Sequence, residues 1–410
     1  MNRNRLWAAL VASLAIFIAT AMTACSNAPS SQGARTIKIG IDLPVSGADA
    51  STGIPTQNGA VLAIEDANAR GVPGGFSFAV SALDDAVQGV HDPAQGAQNV
   101  KTLIADPSVL AILGPYNSNV AKAQIPLTND AGIAQISPAT THTGLTQGDE
   151  ARALRTTHPD VVAYFRVCTT NDHQGEEIAA LARRLGYHRA FDIDDNETYG
   201  KGLADVFDRR FTAAGGSILG HEHLTRGQQD FKALLTKARS QRPDMVFFGG
   251  TTASGGGVLR KQMGDVGMAR TPFFGGDGIS DAQFIVDAGA VADGTYYTVA
   301  AADASKLPTA RRFIAAYRRR WKSDVGPYSA NAYAAAEVAV AAIEKAIRQA
   351  KGTMPERAAV LANVAATKGL DTPIGRIAFD RNGDTTNPIL SAYEIQNGKP
   401  RFVTQLYYAR

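Results

Sequence analysis

The sequence predicts an α/β fold with two successive doubly wound parallel sheets, and three observations support this. Short β-type runs alternate with helical runs from Thr36 onward, an order typical of parallel strands with helices on both faces. The alternation restarts at Phe165 after a polar stretch. The chain has 410 residues, of which 45% are hydrophobic, so it is long enough for two or three domains with their own cores.

The first series contains four β-type runs separated by three helical runs. The β-type runs are Ile37–Ile41, Phe76–Leu83, Val109–Leu113 and Ala134–Ile136; the helical runs are Ile54–Asn68, one that begins at Asp92-Pro93, and Asn119–Ala131. Asp92 followed by Pro93 indicates a helix start, because aspartate caps free N–H groups and proline fits the first helical position.

The second series repeats this order, and two long helices follow it. Its β-type runs are Phe165–Val167, Ala190–Ile193, Ile218–Leu224, Met245–Phe248 and Phe273-Phe274. Its helices are predicted around Ile178, with Leu181, Ala182 and Leu185 on the same apolar face, and over Gly200–Ala214, Phe231–Arg239 and Val258–Val266. The last part predicts helices over Thr309–Trp321 and Ala330–Gln349, with β-like segments near Ile377 and Leu390. Doubly wound sheets bind ligands at the carboxyl ends of their strands.

The N-terminal segment predicts export. Arg3 and Arg5 precede the uncharged run Leu6–Ala21, and small residues and Cys25 follow, which is the order of a secretory signal. Met22-Thr23-Ala24-Cys25 resembles the bacterial lipobox, in which the cysteine becomes the acylated first residue. We therefore expect a lipoprotein signal peptide over residues 1–24, lipidation of Cys25 and a tether over residues 25–35. An uncleaved transmembrane anchor is the alternative, and both interpretations place the rest of the chain outside the cytoplasm.

Composition and motifs argue against several classes of function. The formal charge is +3, from 41 basic and 38 acidic residues, and no basic run indicates a nucleic-acid partner. Two cysteines exclude a disulfide scaffold. No nucleophile motif is present, so we expect no catalytic residue, no enzyme activity and no cofactor.

Two short motifs could bind a cation, but a simpler structure explains each. His221-Glu222-His223 lies in a β-type run, where both imidazoles share a face, yet no third histidine is near and a solvated strand is the favoured interpretation. Asp380-Arg381-Asn382-Gly383-Asp384 resembles a calcium loop but is too short for an EF-hand, so it predicts a hairpin turn. We therefore predict no metal site.

Eight short motifs occur in order along residues 37–407. They are Pro44-Val45-Ser46-Gly47, Asn58-Gly59-Ala60, Asp84-Asp85 with Asp92-Pro93, Leu113-Gly114-Pro115-Tyr116-Asn117-Ser118, Ile136-Ser137-Pro138-Ala139-Thr140-Thr141, Gln174-Gly175, Tyr199-Gly200-Lys201-Gly202 and Gly326-Pro327-Tyr328. With these motifs the chain resembles the type I periplasmic solute-binding proteins that deliver branched-chain amino acids to ABC importers.

The resemblance implies a binding site for a free amino acid. It assigns the ligand carboxylate to Ser118 and Thr141, and the ligand ammonium to the carbonyl of Ala139 and the carboxylate of Asp277. Asp277 is a departure, because the family usually has a glutamate there. Judged alone, Ser118 and Thr141 would be plain helix caps and Asp277 a solvated turn residue.

The resemblance also implies which residues surround the ligand side chain. Tyr199 and Tyr328 match aromatic wall positions. Thr52 and Thr251 stand where close relatives have large aromatic residues, and Tyr116 could refill part of the space. These departures favour an amino acid larger or more polar than leucine.

By the family's architecture, a three-segment hinge joins two lobes, residues 36–168 with 301–388 and residues 169–300 with 389–410. The implied partners are the permease and ATPase subunits of an ABC importer, with attachment to the cell membrane through the lipid anchor. Cys168 is predicted to be a buried, inert thiol. Two alternatives stay open: a ligand sensor for a signalling partner, and a binder of a non-amino-acid such as an amide or a carboxylic acid.

Overall fold

The computed structural model describes residues 35–408. The predicted signal peptide, Cys25 and all but the last residue of the predicted tether lie outside these residues. In the described part, no helix combines the length and the apolar character needed to cross a membrane.

A five-stranded sheet organises what we call the first lobe. Its strands are β1 (Arg35–Leu43), β2 (Phe76–Asp84), β5 (Val109–Leu113), β6 (Ala134–Ser137) and β7 (Tyr164–Arg166), while β3 (Ala86–Val87) and β4 (Val90–His91) form a separate small hairpin. The order in the sheet is β2-β1-β5-β6-β7, and β1, β5, β6 and β7 run parallel to one another. This confirms the predicted doubly wound arrangement of the first series. The run Phe165–Val167, predicted to open the second series, instead supplies β7 to the first sheet, because β7 pairs with β6.

A seven-stranded sheet organises the second lobe. Its strands are β8 (Arg189–Asp194), β9 (Ser217–His223), β10 (Met245–Gly249), β11 (Phe273–Gly275), β12 (Thr295–Val299), β15 (Ile389–Gln396) and β16 (Lys399–Tyr407), in the order β16-β15-β12-β11-β10-β8-β9. β8 to β12 are parallel, but β15 and β16 are antiparallel. Asn397 and Gly398 both have positive φ, the geometry of a tight hairpin turn, and a hairpin joins antiparallel strands.

Twelve helices of at least six residues occur in the described part. They are Ala50–Arg70, Pro93–Ala105, Ser118–Asp130, Gly148–Ala153, Asn171–Arg184, Thr198–Ala213, Lys232–Ser240, Gly256–Asp265, Ala282–Ala288, Arg311–Trp321, Ser329–Gln349 and Arg357–Ala365. Leu185 was predicted on an apolar helix face but is 43% exposed, because its helix ends at Arg184 and Gly186 with φ +89° turns the chain away. A small hairpin, β13 (Leu370–Thr372) with β14 (Gly375–Ile377), completes the elements.

The chain passes between the two lobes three times. It leaves the first lobe after β7, returns after β12, and enters the second sheet again at β15. Helix Ser329–Gln349 packs against helix Ala50–Arg70, so residues late in the chain cover the first sheet. The crossings contact one another: the amide of Thr169 donates to the carbonyl of Ala300 at 3.2 Å, and the hydroxyl of Ser391 donates to the carbonyl of Ala301 at 2.9 Å.

Candidate functional site

The residues proposed for ligand binding follow the carboxyl ends of parallel strands in both sheets. Ser118 follows β5 and Thr141 follows β6, whereas Tyr199, Thr251 and Asp277 follow β8, β10 and β11. Such strand ends are where open α/β sheets bind ligands. All nine proposed residues are buried, with Tyr199 the most exposed at 9%: Ser118, Ala139, Thr141, Tyr199, Asp277, Tyr328, Thr52, Thr251 and Tyr116.

Asp277 is a buried carboxylate held by two side-chain donors. Its Oδ1 accepts from Nε2 of Gln174 at 2.6 Å and from the hydroxyl of Tyr199 at 3.1 Å. Burial raises the pKa of Asp277, and the bonds from Gln174 and Tyr199 act in the opposite direction. Because only 4% of Asp277 is exposed, a solvated turn residue is excluded.

Glycines on both sides of Asp277 allow this geometry. A Cβ atom on Gly276 would overlap the hydroxyl of Tyr199, and one on Gly278 would overlap the carbonyl of Gly250. The amide of Gly278 donates to the hydroxyl of Tyr199 at 3.1 Å. The two glycines therefore allow the turn to lie against the side chain of Tyr199, and this contact positions the carboxylate of Asp277.

Three tyrosines surround this carboxylate. Burial, and after it the charge of Asp277, holds the pKa of Tyr116, Tyr199 and Tyr328 well above the usual range. The rings of Tyr116 and Tyr328 meet edge to face with centroids 5.6 Å apart, and the hydroxyl of Tyr328 accepts from the amide of Ala300 at 3.2 Å. These neutral rings form apolar walls beside a charged group.

The first lobe contributes hydroxyl groups and a helix N-terminus. Ser118 is the first residue of its helix, where free N–H groups and the helix dipole favour an anion. Its Oγ accepts from the amide of His142 at 3.3 Å, so it does not act as a plain cap. The Oγ1 of Thr141 is buried and has no hydrogen-bond partner among the described residues. A buried hydroxyl without a partner is unfavourable, which marks Thr141 as a group available to a ligand.

A buried ion pair orients the turn that holds Thr141. Nη1 of Arg166 donates to the carbonyls of Thr140 and His142, at 3.2 and 2.8 Å. Its Nε donates to Oδ1 of Asp384 at 2.6 Å, and the side chains of both ions are at most 2% exposed. The predicted hairpin turn at residues 380–384 therefore also supplies the counter-ion for Arg166. The thiol of Cys168 donates to the carbonyl of Thr140 at 3.2 Å. Cys168 is buried as predicted, and burial raises the pKa of its thiol to about 12.

A polar pocket lies between the lobes where Thr52, Thr251 and Tyr116 meet. Six of its lining residues are Ser51, Thr52, Tyr116, Thr251, Thr252 and Asp281. Asp281 accepts from the hydroxyl of Thr252 at 2.6 Å and from that of Ser51 at 3.3 Å, so it connects the lobes.

Sequence reasoning did not assign Gln174 or Asp281 to the site. The sequence offered one indication for Gln174, because it belongs to the motif Gln174-Gly175 that supports the family resemblance. Asp281 accepts from the amides of Gln283 and Phe284 at the start of helix Ala282–Ala288. This helix has only seven residues, too few to show a helical period in the sequence, so its N-terminal cap could not be predicted.

A second contact between the lobes centres on His91. Its Nδ1 lies 2.9 Å from Oδ2 of Asp49, and its Nε2 lies 2.8 Å from Oε2 of Glu197 in the other lobe. Asn119 also donates to Glu197, at 2.9 Å. Burial alone would lower the pKa of His91, but the two carboxylates outweigh this effect and raise the pKa to about 10.

Groups able to hold a metal ion share no residue with this site. In the part of the chain that the structure describes, they consist of Asp192, Asp194, Asp208, His221 and His223.

Comparison with known proteins identifies relatives over nearly the whole described chain. The periplasmic binding protein family matches residues 36–399. The Leu/Ile/Val-binding protein BraC3 of Rhizobium johnstonii is 31% identical over 364 residues, which are 88% of this chain and 92% of that protein.

Two solved structures are similar in fold. LivJ of Streptococcus pneumoniae, a branched-chain amino acid transporter substrate-binding protein in complex with isoleucine, has a TM-score of 0.77 and 26% identity, covering 91% of this chain and 99% of that one. A solute-binding protein of an ABC transporter from R. palustris, in complex with benzoate, has a TM-score of 0.76 and 19% identity, covering 92% and 98%.

Proposed function

The chain belongs to the periplasmic binding protein family, and from that premise we propose that it binds a branched-chain or related amino acid for an ABC importer. This family consists of substrate-binding proteins of transporters and not of enzymes, which confirms the prediction that the chain is not an enzyme. The relatives named for leucine, isoleucine and valine support the ligand class.

The arrangement of charge supports an amino-acid ligand most directly. A free amino acid carries an ammonium and a carboxylate on one carbon atom. Asp277 offers a buried negative group from the second lobe, while Ser118 and Thr141 offer a helix N-terminus and a free hydroxyl from the first. In the proposed complex Asp277 and the carbonyl of Ala139 accept from the ammonium, and Ser118 and Thr141 donate to the carboxylate.

The threonines at positions 52 and 251 support a ligand side chain larger or more polar than that of leucine, because the resemblance places large aromatic residues there. Thr52, Thr251 and Tyr116 line the small pocket between the lobes. Tyr199 and Tyr328 form the other walls of the proposed site. Because residues of both lobes contact the ligand, binding favours the closed arrangement of the lobes.

The proposed delivery system follows from the family and from the N-terminal motif. We propose lobes over residues 36–168 with 301–388 and over residues 169–300 with 389–410, in agreement with the two sheets. The chain would be lipid-anchored through Cys25 outside the cytoplasm and would dock on a membrane permease driven by an ATPase.

Calorimetric titration tests this proposal. The purified chain is unfolded and refolded to remove carried-over ligand, then titrated with the twenty amino acids, their amides, urea and small aromatic acids including benzoate. We expect saturable binding of one group of amino acids. Binding of benzoates or amides alone would keep the family but overturn the amino-acid assignment.

A further inference from the structure

A cluster of five ionisable side chains lies at the edge of the seven-stranded sheet. The register of β8 with the edge strand β9 places Asp192 beside His221 and Asp194 beside His223. Because side chains two apart share a face of a strand, all four belong to one face. Asp208 comes from helix Thr198–Ala213, which connects β8 to β9.

Asp192 is the unusual member of this cluster. It is fully buried, and neither carboxylate oxygen has a hydrogen-bond partner in residues 35–408. The Oδ1 of Asp208 is a further buried oxygen without a partner there. Burying an uncompensated carboxylate is costly, so a cation placed between these oxygens would be stabilised there.

Nδ1 of His221 faces both carboxylates. It lies 2.9 Å from Oδ2 of Asp208 and 3.9 Å from Oδ2 of Asp192. Two carboxylates and an imidazole are a common donor set for zinc and similar divalent ions. The donor atoms of Asp192, Asp208 and His221 all lie within 4.8 Å of one another. Small side-chain rotations would bring all three into contact with one ion.

The other nitrogen of His221 supports this assignment. Nε2 lies 2.7 Å from Oδ2 of Asp194, whose Oδ1 accepts from the amide of Asn196 at 2.7 Å. Histidines that bind metals commonly donate their second N–H to a carboxylate, which fixes the tautomer and the ring orientation. Nδ1 of His223 lies 2.9 Å from both oxygens of Asp194, so His223 contacts the same carboxylate as His221.

We propose that Asp192, Asp208 and His221 bind a divalent transition-metal ion of the zinc class, with Asp194 as a positioning residue for His221. The side chains of His221 and Asp208 are 22% and 24% exposed, so the ion has a path from solvent and room for a water ligand. The ion would tie the edge strand to β8 and to the helix that connects them. The proposal differs from the sequence-based prediction of a solvated strand without a metal site, and it does not depend on the proposed amino-acid function.

Zinc titration of the whole purified chain tests the site. The chain is freed of any affinity tag, stripped with a chelator and titrated with Zn²⁺ by calorimetry, and Co²⁺ absorption reports the ligand set. We expect binding of one ion per chain and a rise of the melting temperature with Zn²⁺. A folded chain that binds no stoichiometric Zn²⁺ overturns the proposal.

Matched variants distinguish the proposed ligands from their neighbours. Asp208 lies near the surface, so we expect the variant Asp208→Asn to stay folded, as circular dichroism would show. We expect this variant to bind Zn²⁺ roughly 100-fold or more weakly. Glu222→Gln alters the intervening residue of the same strand and should leave the affinity unchanged. If His223→Gln abolished binding and Asp208→Asn did not, the ion would sit among other ligands and this assignment would be wrong.

Discussion

In the proposed function, Asp277 is the residue that determines which charge the ligand site accepts. It is buried, its donors are the neutral side chains of Gln174 and Tyr199, and no cation is bonded to it in the described part. An ammonium group in the site would therefore meet an acceptor that has no competing counter-ion. At the residue scale, the proposal therefore depends on one carboxylate, because without it the site would suit neutral or acidic compounds.

Asp277→Asn is expected to weaken amino-acid binding by roughly 10- to 150-fold. The substitution keeps the shape of the side chain and removes a charge-assisted hydrogen bond of about 1.5–3 kcal/mol. Calorimetry on the folded variant measures the change. Asp265→Asn is the control, because it makes the same change at an exposed position on another helix. Equal affinities in the wild type and Asp277→Asn would exclude Asp277 as the ammonium partner.

The site residues could be predicted from the sequence only through the family resemblance, because local signals alone would make Ser118 and Thr141 plain helix caps and Asp277 a solvated turn residue. Asp277 is flanked by glycines, and Ser118 and Thr141 follow proline-containing turns. Their partners could not be recognised in this way. Gln174 meets Asp277 across 103 positions, and such a contact depends on the placement of two elements, not on either segment alone.

At the scale of elements, one buried ion pair fastens the turn after β6 to the segment that leads into β15. Arg166 at the end of β7 bonds both to this turn and to Asp384. The turn also carries Thr141, so the ion pair connects the stability of the fold to the geometry of the site.

Asp384→Asn is expected to lower the free energy of unfolding by about 3–5 kcal/mol, because Arg166 would keep a buried charge without a counter-ion. Urea unfolding measures the loss. The exposed pair of Arg376 and Asp371 gives the control, and Asp371→Asn should cost at most about 1 kcal/mol. Similar losses for the two variants would show that the buried pair has no special role.

Helices with a clear hydrophobic period and strands formed by continuous apolar runs could be predicted from the sequence, whereas short elements could not. The strands Val109–Leu113 and Met245–Gly249 are fully buried apolar runs, and the sequence shows them directly. Helices such as Gly148–Ala153 and Ala282–Ala288 have two turns or fewer, so tertiary contacts and not periodicity decide them. At Leu185 the prediction extended a helix too far, because the hydrophobic spacing continues one residue beyond Arg184, where the helix ends.

At the scale of the whole molecule, His91 holds the lobes together between Asp49 and Glu197. Its pKa is raised from 6.5 to about 10, so the folded protein keeps a proton that the unfolded chain releases. The resulting stability is fully present below pH 6.5 and is lost as the pH rises toward 10.

His91→Gln should therefore flatten the pH dependence of unfolding. In the wild type this histidine contributes a decrease of up to about 1.4 kcal/mol per pH unit within that window. Urea unfolding at several alkaline pH values measures the slope, with His188→Gln as the control at an exposed histidine. A slope that is unchanged in His91→Gln would mean that the contact does not hold a proton.

The threefold crossing of the chain also bears on when the protein can fold during its synthesis. The second sheet receives its last two strands from Ile389–Gln396 and Lys399–Tyr407, and the first sheet lacks the helix Ser329–Gln349 until late in translation. A ribosome-bound fragment can thus complete neither core before these late segments are synthesised. That delay suits a polypeptide that must be threaded through a narrow translocation pore before it folds, as the proposed export requires.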